Sequence, residues 1–304
     1  MPATIILTTA CNRLDMELNI LKEVSIKEIP SGSGITKLNG NYYAIGDDSP
    51  FLFTLNDDFK IINRIQLIET ANTNKRISKP EKPDFETLEL INDDEIIVFG
   101  SGSKSPERDL FLRVLLKDSM VVERYHLTEF YKNLKRLPLM QDSELNIEAT
   151  AFHKNQIFLF NRKKNLIFQF DYSKLLQYLK GKTKFPIPRV CSFNLPKINN
   201  IESGFSGATI LKSASKIIFT ASVENTDNVY DDGEILGSFI GMIDLSNNTI
   251  SNSFEFCEIP QCKSKLKIES VAIEKENSTG NASLILIADD DQGSSTLVKC
   301  SLIW

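Results

Sequence analysis

Five copies of one short phrase set the terms on which this 304-residue chain can fold. Asn146-Ile147-Glu148-Ala149-Thr150-Ala151-Phe152 is echoed by Gly32-Ser33-Gly34-Ile35-Thr36, Phe85-Glu86-Thr87-Leu88-Glu89, Phe205-Ser206-Gly207-Ala208-Thr209 and Ile268-Glu269-Ser270-Val271-Ala272. Aligned on the polar residue, the anchors are Ser33, Glu86, Glu148, Ser206 and Glu269, separated by 53, 62, 58 and 63 residues. Recurrence at that period marks an array of supersecondary units, each unable to bury its apolar face alone.

Within each unit, turn residues divide apolar runs into strands. The first unit reads as 35–38, 42–46, 51–55 and 61–68, with Asn39-Gly40 as a tight hairpin signal. The second reads as 87–91, 95–99, 110–116 and 121–125, the third as 149–153, 156–160, 166–170 and 189–194, and the fourth as 208–212, 216–221, 237–244 and 249–255. The fifth has only 270–274, 283–288 and 296–303, while a lone strand, Leu18–Ile29, precedes the first unit. Four-stranded units with one strand missing at the end and one spare at the start predict an all-β, five-bladed β-propeller over residues 17–304, its last blade completed by the N-terminal strand. Such closure removes an exposed sheet edge. A six-bladed ring is the alternative, if 224–268 holds a further set of strands. Two stretches, Leu127–Leu137 and Tyr172–Leu179, carry apolar residues at helical spacing and are expected to pack on the propeller rim.

Composition excludes several functions. A net charge of −5 with no basic cluster argues against nucleic acid as a partner. Cys11, Cys191, Cys257, Cys262 and Cys300 are too scattered for a disulfide framework or a zinc site. His126 and His153, the only histidines, supply a Ser-His-Asp triad poorly. There is no apolar run of membrane-spanning length, so no transmembrane helix is expected. The segment from Thr4 to Cys11 is similar to the end of a bacterial lipoprotein signal. That predicts a cell-envelope location, with Cys11 as the lipidated residue and residues 1–16 as signal and tether. The segment lacks a positive n-region, and the alternative is a cytoplasmic protein starting at Met16. A monomer is expected.

The repeat core, with Ile45-Gly46-Asp47-Asp48-Ser49-Pro50, Pro83-Asp84-Phe85-Glu86-Thr87-Leu88 and Phe99-Gly100-Ser101-Gly102-Ser103, resembles an uncharacterised family of propellers found largely in Bacteroidetes, over about residues 30–304. More distantly, its acidic-small-apolar blade openings resemble esterase-like phytase propellers and SdiA-regulated propellers. Those relatives imply a propeller with a Ca²⁺ or phosphoester connection. No reaction is assigned to the family, so none carries over to these residues.

In a propeller the first strand of each blade lines the channel. Ser33, Glu86, Glu148, Ser206 and Glu269 should therefore form one ring at a channel mouth. Three carboxylates in such a ring repel one another, so a cation, raised pKa values or nearby arginines must compensate. One reading has each glutamate capping backbone N–H groups of a neighbouring blade and fixing register. The other makes the ring, with Arg162, a ligand site and places a metal on Glu86, Glu148, Glu269, Asp47, Asp48 and Asp290, with Ca²⁺ favoured by the all-oxygen donors. Arg162 and Arg108 could oppose the acids or hold an anionic group. The function expected is a binding module with an acidic channel mouth for a small ligand or metal ion. The alternative is a Ca²⁺-dependent, phytase-like phosphoester hydrolase, against which counts the scarcity of Arg and Lys expected at the mouth.

Overall fold

The computed structural model describes residues 16–70, 76–116, 120–225, 233–260, 265–277, 280–290 and 293–304. The lipoprotein-like segment with Cys11, and Cys262, lie outside them. The chain opens with β1 (Glu17–Ile26) and then lays down four consecutive four-stranded antiparallel sheets. The first is β2 (Gly32–Leu38), β3 (Asn41–Gly46), β4 (Phe51–Leu55) and β5 (Ile61–Gln66). The second is β6 (Phe85–Asn92), β7 (Glu95–Gly100), β8 (Leu110–Leu115) and β9 (Val121–His126). Helix α1 (Thr128–Lys135) leads to the third, which is β10 (Ile147–His153), β11 (Gln156–Asn161), β12 (Leu166–Asp171) and, after α2 (Tyr172–Leu179), β13 (Arg189–Ser192). A short hairpin, β14 (Lys197–Ile198) and β15 (Ile201–Glu202), precedes the fourth: β16 (Gly204–Leu211), β17 (Lys216–Asn225), β18 (Glu234–Ser246) and β19 (Thr249–Glu258). The fifth is β20 (Lys267–Asn277), β21 (Asn281–Asp289) and β22 (Ser295–Ile303), with β1 antiparallel to β22 as its outer strand.

The inner strands β2, β6, β10, β16 and β20 each contact the next, and β20 returns to β2. The ring is closed, and it is a five-bladed β-propeller. The six-blade alternative fails because the strands among the described residues of 224–268 belong to the β17–β18–β19 meander of the fourth blade and to the start of β20.

The second strand of each blade explains why the sequence reads as unbroken apolar runs there. Successive side chains of a strand point to opposite faces, and both faces of a blade are covered by neighbours. In β11, Ile157 and Leu159 enter the core shared with the second blade, while Phe158 and Phe160 enter the core shared with the fourth. In β21, Leu284 and Leu286 face the fourth blade, and Ile285 and Ile287 face the first. The main core is thus split into five wedges, one per blade interface. Both helices close one wedge: Phe130, Tyr131 and Leu134 of α1 and Leu175 of α2 pack with Ile97, Phe111 and Leu159. This matches the rim position expected from their apolar faces. Asn39-Gly40 turns β2 into β3 with both residues at positive φ, as a type I′ hairpin requires.

Candidate functional site at the channel mouth

The repeated phrase is a repeated backbone irregularity. In every blade the ladder between first and second strands slips by one residue at the anchor: between Gly32 and Gly34, Phe85 and Thr87, Ile147 and Ala149, Phe205 and Gly207, and Ile268 and Ser270. The skipped residues are Ser33, Glu86, Glu148, Ser206 and Glu269. A bulge leaves its extra residue out of the ladder and re-aims its side chain. Five bulges therefore turn five anchor side chains out of register at the same end of the inner strands.

Their roles then diverge. Ser33 Oγ donates to the Phe85 carbonyl of the next blade, and Ser206 Oγ to Thr220 Oγ1 at 3.2 Å. Both serines are buried; Ser33 ties its blade to the next, while Ser206 ties two strands of its own blade. Glu86 and Glu148 line a cavity of about 310 Å³ at the channel mouth, together with Asp47, Asp48, Asp84 and Asp289. Glu269 is buried beside Glu148, and its charge bears on that carboxyl.

The acids are held in two groups. Ligand oxygens of Asp47, Asp84 and Glu86 lie within 4.8 Å of one another. Lys82 Nζ bonds Asp47 and stands 2.8 Å from Asp84 Oδ1. Arg108 Nη1 donates to Asp84 Oδ2 at 2.7 Å, and Ser101 Oγ donates to the same oxygen at 2.5 Å. Asp48 is paired with Arg76, whose Nη2 also donates to Ser31 Oγ at 2.8 Å. In the second group, Arg162 bridges Glu148 (3.7 Å) and Glu224 (3.5 Å), and Lys267 bridges Glu224 (2.8 Å) and Glu269 (3.1 Å). Asn146 Nδ2 donates to Glu148 Oε1 at 2.5 Å. The expectation that the glutamates cap neighbouring backbone is replaced, for Glu148 and Glu269, by side-chain partners. Raised pKa values and nearby cations both provide the compensation that a ring of carboxylates demands.

Environment splits the acids by charge state. Burial opposes ionisation of Asp84, yet Lys82 and Arg108 hold its carboxyl below the usual range. Burial pushes Asp47 up to about 6 against the pull of Lys82. Glu86 is driven well above the ordinary carboxylate range by burial and by the charges of Asp84, Glu148 and Asp47. Burial raises Glu148 to about 8 against Arg162, and raises Glu269 as well. Glu224, pulled down by Arg162 and Lys267 despite its burial, stays ionised. The surroundings therefore favour the ionised form at Asp84 and Glu224 and the protonated form at Glu86 and Glu148. Three buried oxygens, Asp47 Oδ1, Asp48 Oδ1 and Glu269 Oε2, accept no hydrogen bond among the described residues.

Asp290, expected among the metal ligands, does not line this cavity; its Oδ1 accepts the Ser294 N–H at 2.9 Å. The residues that sequence reasoning passed over are Arg76, Lys82, Asp84, Asn146 and Lys267. A signal for three of them was present. Two positions before each anchor stand Ser31, Asp84, Asn146, Gly204 and Lys267, and four of these five line the cavity.

A model of the family of unknown function DUF6929 matches residues 28–302. The chain belongs to that family. No curated protein matches the sequence. Among solved structures, the chain is similar to glutaminyl cyclase from Myxococcus xanthus, with 7% identity, 94% of this chain and 97% of that one covered, and a TM-score of 0.53. It is also similar to virginiamycin B lyase from Staphylococcus aureus (13% identity, 95% and 100% covered, TM-score 0.43) and to a DUF4221 member from Bacteroides vulgatus (11%, 95% and 98%, 0.39). At 7% identity the first likeness is one of fold alone.

Proposed function

We propose that this propeller is a binding module whose mouth takes a divalent cation, Ca²⁺ first among the candidates, on Asp47, Asp84 and Glu86. The supporting observation is the convergence of three carboxylates from two blades within 4.8 Å, with the buried Asp47 Oδ1 left without a hydrogen-bond donor. Hard cations favour such all-oxygen sets. The Lys82 ammonium now serves as the cation of that cluster, so an incoming ion must displace it. A small polar ligand would then complete the coordination inside the cavity, which Glu148 also lines, with Arg162 outside the lining and paired to that carboxylate. Calorimetric titration of Ca²⁺ into wild type and Glu86→Gln tests this. Heat saturating in wild type and lost in the variant is expected; no heat and no shift in melting temperature with millimolar Ca²⁺ sinks the proposal.

One observation favours a second reading, Ca²⁺-dependent hydrolysis of a phosphoester. Arg76, Lys79, Lys82, Arg108 and Lys267 all line the cavity, more cations than the sequence led one to expect. Arg and Lys are the groups that hold a phosphoryl oxygen, and a bound cation would supply an activated water. Turnover of a generic aryl phosphate that requires Ca²⁺ and disappears in Asp84→Asn would select this reading over simple binding.

A further inference from the structure

The inner strands have a second end. Three to four residues beyond the anchors, or about 10–13 Å along a strand at ~3.3 Å per residue, all five blades line another cavity, of about 570 Å³, with Lys37, Glu89, Phe152, Ile210 and Ile273 as one residue from each. This volume lies within the usual range for a small-molecule pocket. Its chemistry is graded by depth. Glu89 is buried, and its Oε1 accepts the Leu90 N–H at 3.1 Å. Leu90, Ile91, Phe152, Ile210 and Ile273 form an apolar wall around it. At the rim, Lys154 and Lys212 are exposed.

Most other charges at this end are already committed. Lys37 Nζ lies 3.2 Å from Asp57 and 3.5 Å from Glu274. Glu276 accepts the backbone N–H groups of Lys212 and Ser213 at 2.9 and 2.7 Å. Lys154 and Lys212 are left with no ion-pair partner among the described residues. A cationic rim above an apolar wall and a single buried carboxyl fits an amphiphile that is anionic at one end.

We propose that this end of the channel is a second binding site, for an arylalkyl carboxylate bearing a polar tip. Its carboxylate would sit between Lys154 and Lys212, its ring against Phe152, Ile210 and Ile273, and a terminal hydroxyl against Glu89. Burial holds the Glu89 carboxyl well above the usual carboxylate range. Its burial disfavours the charged form, and a buried carboxyl set in an apolar wall suits a hydroxyl partner. The same body carrying an amine in place of the carboxylate is repelled by the rim lysines.

The test is titration of the full chain with 3-(4-hydroxyphenyl)propionate, followed by ligand-observed NMR and calorimetry, with 3-phenylpropionate and tyramine as comparators. The hydroxy acid should saturate below about 1 mM, and Lys154→Glu/Lys212→Glu should weaken it about tenfold or more, or ~1.4 kcal/mol, with an unchanged melting temperature. The acid lacking the hydroxyl should bind several-fold more weakly. Absence of saturable binding, tyramine binding as tightly as the acid, or undiminished affinity in the double variant overturns the site. Equal affinity for the two acids overturns the Glu89 contact.

Discussion

The side chain of Arg162 lies across Gly204, and a Cβ on that glycine would overlap Arg162 Cγ. The arginine follows the second strand of the third blade and the glycine opens the fourth, so the missing side chain is the slot through which Arg162 reaches Glu148 and Glu224. Gly204→Ala should push the guanidinium off both acids. We expect a loss of about 1–3 kcal/mol, the usual cost of overpacking, seen as a lower urea midpoint. A midpoint equal to or above wild type would show that the arginine finds another path.

Glu148 should make stability fall with rising pH. Its carboxyl is raised to about 8 in the folded protein, from 4.5, so across that interval the folded state holds a proton the unfolded chain has released. Stability is then complete below about 4.5 and is lost as pH climbs towards 8. Glu148→Gln, which mimics the protonated form, should flatten the profile and be more stable than wild type, relative to pH 5, at pH 8.5. Denaturant unfolding at several pH values reads this; parallel profiles for the two proteins would contradict it.

Lys82→Met removes the ammonium that Asp47 and Asp84 share. Breaking a buried pair on one side costs on the order of 3 kcal/mol, and the partial opening of Lys82 to the cavity puts the expectation at or below that. Ca²⁺ should restore much of the loss, and its affinity should rise about tenfold or more, because the site gains net negative charge. Thermal melts with and without Ca²⁺ measure both effects. A variant that melts lower and ignores Ca²⁺ would mean the cluster is a structural ion pair alone.

Removing residues 1–26 strips β1 from β22. The fifth blade then presents an unpaired edge, and Leu18 leaves a core it shares with Leu284 and Leu302. Aggregation by strand-edge pairing is the expected result, visible as a shift to high mass in size-exclusion chromatography. A monodisperse, cooperatively folding truncation would show that the ring holds without its outer strand.

What the amino-acid order determined by itself was the architecture. Blade count follows from five anchors at a near-regular period. Closure follows from a spare first strand and a short last unit, and wedge packing from apolar runs such as Ile157–Phe160, whose alternate side chains serve two interfaces. These are local patterns, and backbone geometry converts them directly into structure. The equivalence of the five anchor positions was legible for the same reason, although the bulge at each is visible only in the ladder and only Glu86 and Glu148 among them line the mouth cavity. Tertiary structure alone decided the chemistry. The Asp84 carboxyl is held below the usual range and that of Glu86 well above it, though they are two residues apart, because Lys82 and Arg108 outweigh burial at one while burial and neighbouring acids act together at the other. Asp290, which looked like an equal partner of Asp47, lies outside the cavity lining and accepts the Ser294 N–H. Charge state and ion pairing depend on burial and on distances of a few ångströms between residues far apart in the chain, as Arg162 and Glu224 are, and closing the ring is what sets those distances.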